Sequence, residues 1–223
     1  MINPKKVVCI FAHPDDEAFG PGGTIAMLSE KCEVHVICVT NGDADEKYAK
    51  GNDVSTLGSV RTKELQDSAS ILGVKTVTFL NFKDGSLNNN NYHDVTKELT
   101  PILDELRPDT LMTFDQNGVS GHLDHIAVAM EVTYLFEKLS FVQNLMYFCE
   151  KQEVKKIIGD SYFVHFPKGY ARNEVDWIVD VRPYFDKKVA AMNAHVSQKS
   201  DAFMILTTFK EFVKEEYFKV VSK

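Results

Sequence analysis

The sequence predicts an α/β fold: a mostly parallel β-sheet flanked by helices on both faces, built as a single domain over residues 1–223. Strand-like and helix-like segments alternate along the chain, as they do in βαβ units joined by right-handed crossovers. The run Glu33–Thr40 is almost continuously apolar, which suits a strand buried on both faces of a parallel sheet. Two polar clusters, one around His13 and one around His122, fall where predicted strands stop. Open α/β sheets bind ligands beyond the carboxyl ends of their strands. Together these features describe a Rossmann-like sheet.

Val7–Phe11 is the first predicted strand, and Ala12-His13-Pro14-Asp15-Asp16-Glu17 follows it. Imidazole and carboxylate are ligand types that a borderline metal such as zinc accepts. Adjacent residues of an extended segment point opposite ways, so Asp15 and Asp16 can do different jobs. One can bind a metal while the other faces a water at that metal. The competing reading is an acidic helix N-cap, which needs no histidine. The loop Gly20-Pro21-Gly22-Gly23 leads into a helix over Thr24–Lys31. Within the strand Glu33–Thr40, His35 reads as a packed core residue. Asn41 to Glu46 is an acidic turn unlike a calcium loop, and the polar stretch after it, up to Gly58, is predicted to rim the site.

A helix is predicted over Ser59–Leu72, stopped by Gly73; its Arg61 and Glu64 read on their own as a surface ion pair. Val77–Leu80 is a short strand, followed by a turn with Asp84 and by the four-Asn loop Asn88 to Asn91. An amphipathic helix, Tyr92–Leu106, ends at Arg107-Pro108. The strand Thr110–Phe114 then delivers the second cluster, Gly121-His122-Leu123-Asp124-His125, ahead of a helix over Ile126–Leu139. His122 and His125 are three apart, so a helix start puts both on one face. His13, Asp16 and one of these two histidines would supply three protein ligands and leave a coordination position for water. Farther on, Asn144–Cys149 and Val175–Val181 are predicted strands, Glu153–Asp160 is a charged interlude, and Pro183–Ala194 is a helix. His195 and Gln198 after it read, without other information, as a helix end with local hydrogen bonds. The aromatic-rich stretch Phe203–Val221 is predicted as a helix that packs on the core or on a second copy in a homo-oligomer.

The net charge of −7 argues against nucleic acid or an anionic membrane as the main partner. Four cysteines without C-x-x-C spacing suit free thiols in a reducing cytosol. The polar start and the lack of any run of membrane-spanning length point to a cytoplasmic protein.

The two clusters resemble the motifs of the PIG-L/LmbE-like, zinc-dependent N-acetylglucosamine deacetylases. Ala12 to Glu17 matches the first motif in full, and Gly121 to His125 matches the second except that Leu123 stands where proline is usual. The resemblance covers the first 140 residues or so. It implies that His13, Asp16 and His125 bind Zn2+, although this donor set also accepts Fe2+ or Co2+. It implies that Asp15 is the general base and that His122 assists at the oxyanion or the leaving group. Substrate contacts are implied for Arg61 and Asp84, and for His195 and Gln198 in an Ala-His-x-Ser-Gln segment. The activity implied is removal of acetyl from a small soluble glycoside such as N-acetylglucosaminyl-malate or a chitooligosaccharide. The alternatives are a non-catalytic amino-sugar-binding relative and a nucleotide binder using Gly20 to Gly23, whose spacing is not G-x-G-x-x-G.

Overall fold

The strands β1 (Lys6–Phe11), β2 (Glu33–Thr40), β3 (Thr76–Phe82), β4 (Thr110–Phe114) and β5 (Asn144–Cys149) are parallel neighbours in one sheet. Two more strands, β6 (Trp177–Asp180) and β7 (Glu215–Ser222), complete it, with β7 antiparallel to both β5 and β6. The spatial order is β3-β2-β1-β4-β5-β7-β6. The chain winds one way from β1 to β3 and the other way from β4, so the crevice between the carboxyl ends of β1 and β4 is a topological switch point. This computed structural model describes residues 2–44, 56–158 and 165–223. Most of the stretch predicted to rim the site, residues 45–55, lies outside the described residues, as does the end of the charged interlude, 159–164.

Alternate residues of β1 enter two different cores, as the two-residue period of a strand requires. Val7, Cys9 and Phe11 join Ile25 and Leu28 of α2 (Gly22–Ser29), Leu65 and Leu72 of α3 (Leu57–Leu72) and Met192 of α8 (Phe185–Ala194). Val8 and Ile10 join Leu99 and Leu103 of α4 (Tyr92–Leu106) and Val132 and Leu135 of α6 (Leu123–Lys138). Both sheet faces are therefore covered, and each fully buried Leu or Val contributes about 1.5–3 kcal/mol relative to exposure. The remaining α-helices among the described residues are α1 (Asp16–Phe19), α5 (Gly118–Gly121), α7 (Gln152–Ile158) and α9 (Lys199–Thr208). None of the described helices is long and apolar enough to cross a membrane.

The expected helix over Phe203–Val221 is a correction. It is α9, a turn, and then β7. Tyr217 and Phe218 are both buried but belong to opposite cores. Adjacent residues can do that only in a strand covered on both faces, and the β-branched Val220 and Val221 favour the same backbone.

β7 is fastened by charge as well as by pairing. Glu216 accepts hydrogen bonds from the amides of Gly23 (2.9 Å) and Thr24 (2.7 Å) at the start of α2. Lys188 of α8 donates to Glu216 (2.6 Å) and to the Gly20 carbonyl (2.7 Å), and both charged side chains are almost fully buried. A carboxylate already occupies the helix N-terminus that a phosphate would need. A Cβ on Gly23 would lie 2.4 Å from Val181 Cβ, so this glycine serves close packing.

Candidate active site

β1 ends at Phe11, and the Ala12 carbonyl accepts from both the amide and the hydroxyl of Thr40, each at 2.8 Å. The chain then turns sharply. Asp15 has φ 145°, a strained value for a residue with a side chain, and makes no side-chain cap bond to α1 although it holds the N-cap position. Its carboxylate instead accepts from Arg61 Nη2 at 2.9 Å. The N-cap reading therefore does not describe Asp15. Asp16 is turned the other way, its Oδ2 accepting from the His13 amide at 2.8 Å.

The second cluster arrives from β4. His122 is extended and caps α6, so it stands one position before the helix rather than on its face with His125. The two imidazoles are stacked, with centroids 5.0 Å apart. His13 Nδ1 lies 3.0 Å from His125 Nε2, and Asp16 Oδ1 lies 3.3 Å from the same nitrogen. Segments more than a hundred residues apart thus converge on one point.

The hydrogen bonds on the far side of each ring fix what faces that point. His125 Nδ1 is 3.1 Å from the Gly118 carbonyl, which can only accept, so Nδ1 carries the hydrogen. His13 Nε2 is 3.1 Å from Asp84 and 3.2 Å from Asp124, so it too is the protonated nitrogen. In the neutral rings His13 Nδ1 and His125 Nε2 are left as lone pairs facing each other beside a carboxylate. Such an arrangement is repulsive unless a positive charge lies between them. Two imidazole lone pairs and a carboxylate oxygen are the donor set of a catalytic zinc-type site, and carboxylates behind a ligating histidine are its usual support. The residues present therefore fit a divalent cation.

Electrostatics express the same demand. Burial disfavours charge on His13, yet the hydrogen bonds it donates to Asp124 and Asp84 and the nearby Asp16 push its pKa up to about 10. Burial also opposes the Asp16 charge, but His125 and His13 hold its carboxyl well below the usual range. Burial pushes Asp15 up to about 6, with Arg61 pulling it down and Asp16 pushing it further up. His122 is lowered to about 4 by burial and by its two histidine neighbours. Its Nδ1 accepts from the Asp124 amide at 3.1 Å, so Nε2 carries the hydrogen as a donor.

A cavity of about 500 Å³ opens over this cluster. Its lining includes His13, Asp15, Asp16, Arg61, Asp84, His122, His125 and Gln198. Arg61 and Glu64 are buried and do not pair with each other. Arg61 donates to the carbonyls of Gly42 (3.1 Å) and Pro14 (2.9 Å), while Glu64 accepts from the amide and hydroxyl of Ser197. His195, expected at the pocket, does not line it. It is fully buried behind the site and bonds to Glu17 at 2.8 Å, because Glu17, which also accepts from Ser68, offers it a buried carboxylate. Asp124 and Glu17 lie inside the two sequence motifs but have no role in the sequence reading. An acid beside each histidine pattern was the available signal.

A convergent histidine and aspartate centre at the switch point of a parallel sheet defines the class: an α/β protein with a metal-type site between β1 and β4. The chain belongs to the PIG-L family, described as GlcNAc-PI de-N-acetylase, whose model matches residues 8–136 and so spans both clusters. It is 28% identical over 198 residues to a probable N-acetyl-alpha-D-glucosaminyl L-malate deacetylase 2 of Bacillus cereus, covering 87% of this chain and 84% of that one. A 1D-myo-inositol 2-acetamido-2-deoxy-alpha-D-glucopyranoside deacetylase of Mycobacterium sp. (strain JLS) is 28% identical over 233 residues, 88% of this chain and 75% of that relative. The N,N'-diacetylchitobiose deacetylase of Pyrococcus horikoshii, solved with its inhibitor MPG, has a TM-score of 0.69 at 28% identity, covering 99% of this chain and 85% of the other.

Proposed function

We propose that the whole chain acts as one zinc-dependent amide hydrolase that removes the acetyl group from an N-acetylglucosamine unit of a small glycoside, releasing acetate and a free amine. The observation that carries this reading is the convergence of His13 Nδ1 and His125 Nε2, 3.0 Å apart, beside the Asp16 carboxylate. Family membership and the deacetylase names of the relatives support the reaction class.

His13, Asp16 and His125 would hold the cation. Bound there, a divalent ion supplies Lewis acidity to the amide carbonyl and makes a nearby water more acidic. Asp15, raised toward neutrality and kept in place by Arg61, takes the proton of the attacking water. The Nε2–H of His122 donates to the oxygen that gains charge as the carbonyl carbon becomes tetrahedral. Asp15 then returns its proton to the departing nitrogen, so that an amine and not an amide anion leaves. Asp84 and Asp124 orient His13, while Arg61, Asp84 and Gln198 offer hydrogen-bonding groups to the sugar from the cavity wall.

The test is the Asp15→Asn variant loaded with zinc. It is expected to keep wild-type metal content and lose about 10²–10⁴-fold in acetate release from an N-acetylglucosaminide. Undiminished turnover would remove Asp15 as the base. Full metal content in both His13→Ala and His125→Ala would remove the centre itself.

A further inference from the structure

We infer that the site prefers glycosides whose second moiety carries no negative charge, an uncharged or amine-bearing sugar, over those that end in carboxylates. This rests on the deacetylase reading above.

The cavity wall is acidic. Besides Asp15 and Asp16 it carries Asp84, Glu150 and Asp201. Glu150 follows β5 directly, and Asp201 lies in the first turn of α9. Among the described residues Arg61 is the only lysine or arginine in the lining. Its charge is already paired with Asp15, and it also donates to the Gly42 and Pro14 carbonyls. Two lysines are buried in the adjoining apolar cavity that shares Phe148 and Glu150 with this one, and both face elsewhere. Lys151 donates to the carbonyls of Phe212 and Glu215, and Lys188 to Glu216 and Gly20.

A carboxylate that leaves water needs a cationic partner or several donors in exchange. Among the described residues this wall offers such a group no uncommitted cation and sets like charge around it, which opposes binding and slows encounter. Hydroxyls and ammonium groups face the opposite balance. Acceptor oxygens of Glu150, Asp201 and Asp84 suit the donors of a second sugar ring. One oxygen of Glu150 already accepts from the Lys151 amide at 2.8 Å, which fixes the direction of the carboxylate.

Two substrates test the inference on the zinc-loaded protein: N,N'-diacetylchitobiose, which is neutral, and N-acetylglucosaminyl-malate, which carries two carboxylates. The ratio of kcat/KM is expected to favour chitobiose by about tenfold or more at low salt and to narrow as salt rises. The double variant Glu150→Gln, Asp201→Asn is expected to move that ratio toward the malate conjugate by about tenfold. A malate conjugate cut as well as chitobiose overturns the charge preference and leaves the deacetylase reading standing. Failure to release acetate from either substrate, with zinc bound, overturns both. A ratio unchanged in the double variant overturns the assignment to Glu150 and Asp201.

Discussion

Asp124 reaches His13 Nε2 while the amides of Gly85 (2.8 Å) and Leu87 (3.0 Å) hold its carboxylate. It therefore sets the direction of a ligand from behind. Asp124→Asn is expected to weaken zinc binding by about 10–100-fold, measured by chelator competition; unchanged affinity would assign the orientation to Asp84 alone. Glu131, on α6, is a different kind of buried acid. Neither of its oxygens has a partner among the described residues, and burial, with Asp124 adding to it, raises its pKa from 4.5 to about 8. The folded chain then keeps this proton over a pH range in which the unfolded chain releases it. Stability is fully present below pH 4.5 and falls as the pH rises toward about 8. Glu131→Gln is expected to flatten the stability–pH curve in that window by up to ~1.4 kcal/mol per pH unit, read from urea unfolding at several pH values. An unchanged slope would mean that Glu131 ionises normally.

At the scale of elements, the segment between β4 and α6 decides whether His125 points at the centre. Gly118 has φ 66°, and an added Cβ would come within 2.9 Å of Ile126 Cγ1 and 3.0 Å of His125 Cβ. Its carbonyl is the acceptor that fixes the His125 tautomer. Gly118→Ala is expected to cost about 1–2 kcal/mol in stability and to weaken zinc binding at the same time; a stable variant with normal affinity would show that the loop adapts. The strands and helices up to residue 149 follow the apolar periodicity of the sequence closely, with ends that differ by only a few residues. Both clusters were readable because a run of strand residues stops just before each. The second half was harder to read. β7 resembles a helix in composition because its burial on two faces hides the alternation that usually marks a strand. His195 looked like a pocket residue because nothing in a linear pattern shows that Glu17, 178 positions away, would claim it. The Arg61–Asp15 contact and the Asp124–His13 contact are likewise long-range, so spacing alone could not reveal them.

For the molecule as a whole, the buried pair Lys188–Glu216 links the last strand, α8 and the turn that follows the first motif. Lys188→Met would leave the Glu216 charge without its partner and is expected to cost about 3–5 kcal/mol. Adding Glu216→Gln should recover part of that loss, and equal stability of the single and double variants would mean the charges act independently. The same fastening has a consequence for modular design. The residues that match the family, 8–136, contain every candidate ligand, yet the brace under Gly20 to Thr24 comes from positions 188 and 216. Grafting only the matched portion into a relative would import the chemistry without its scaffold, so a chimera must carry the tail along with the motifs or re-create that brace in its host.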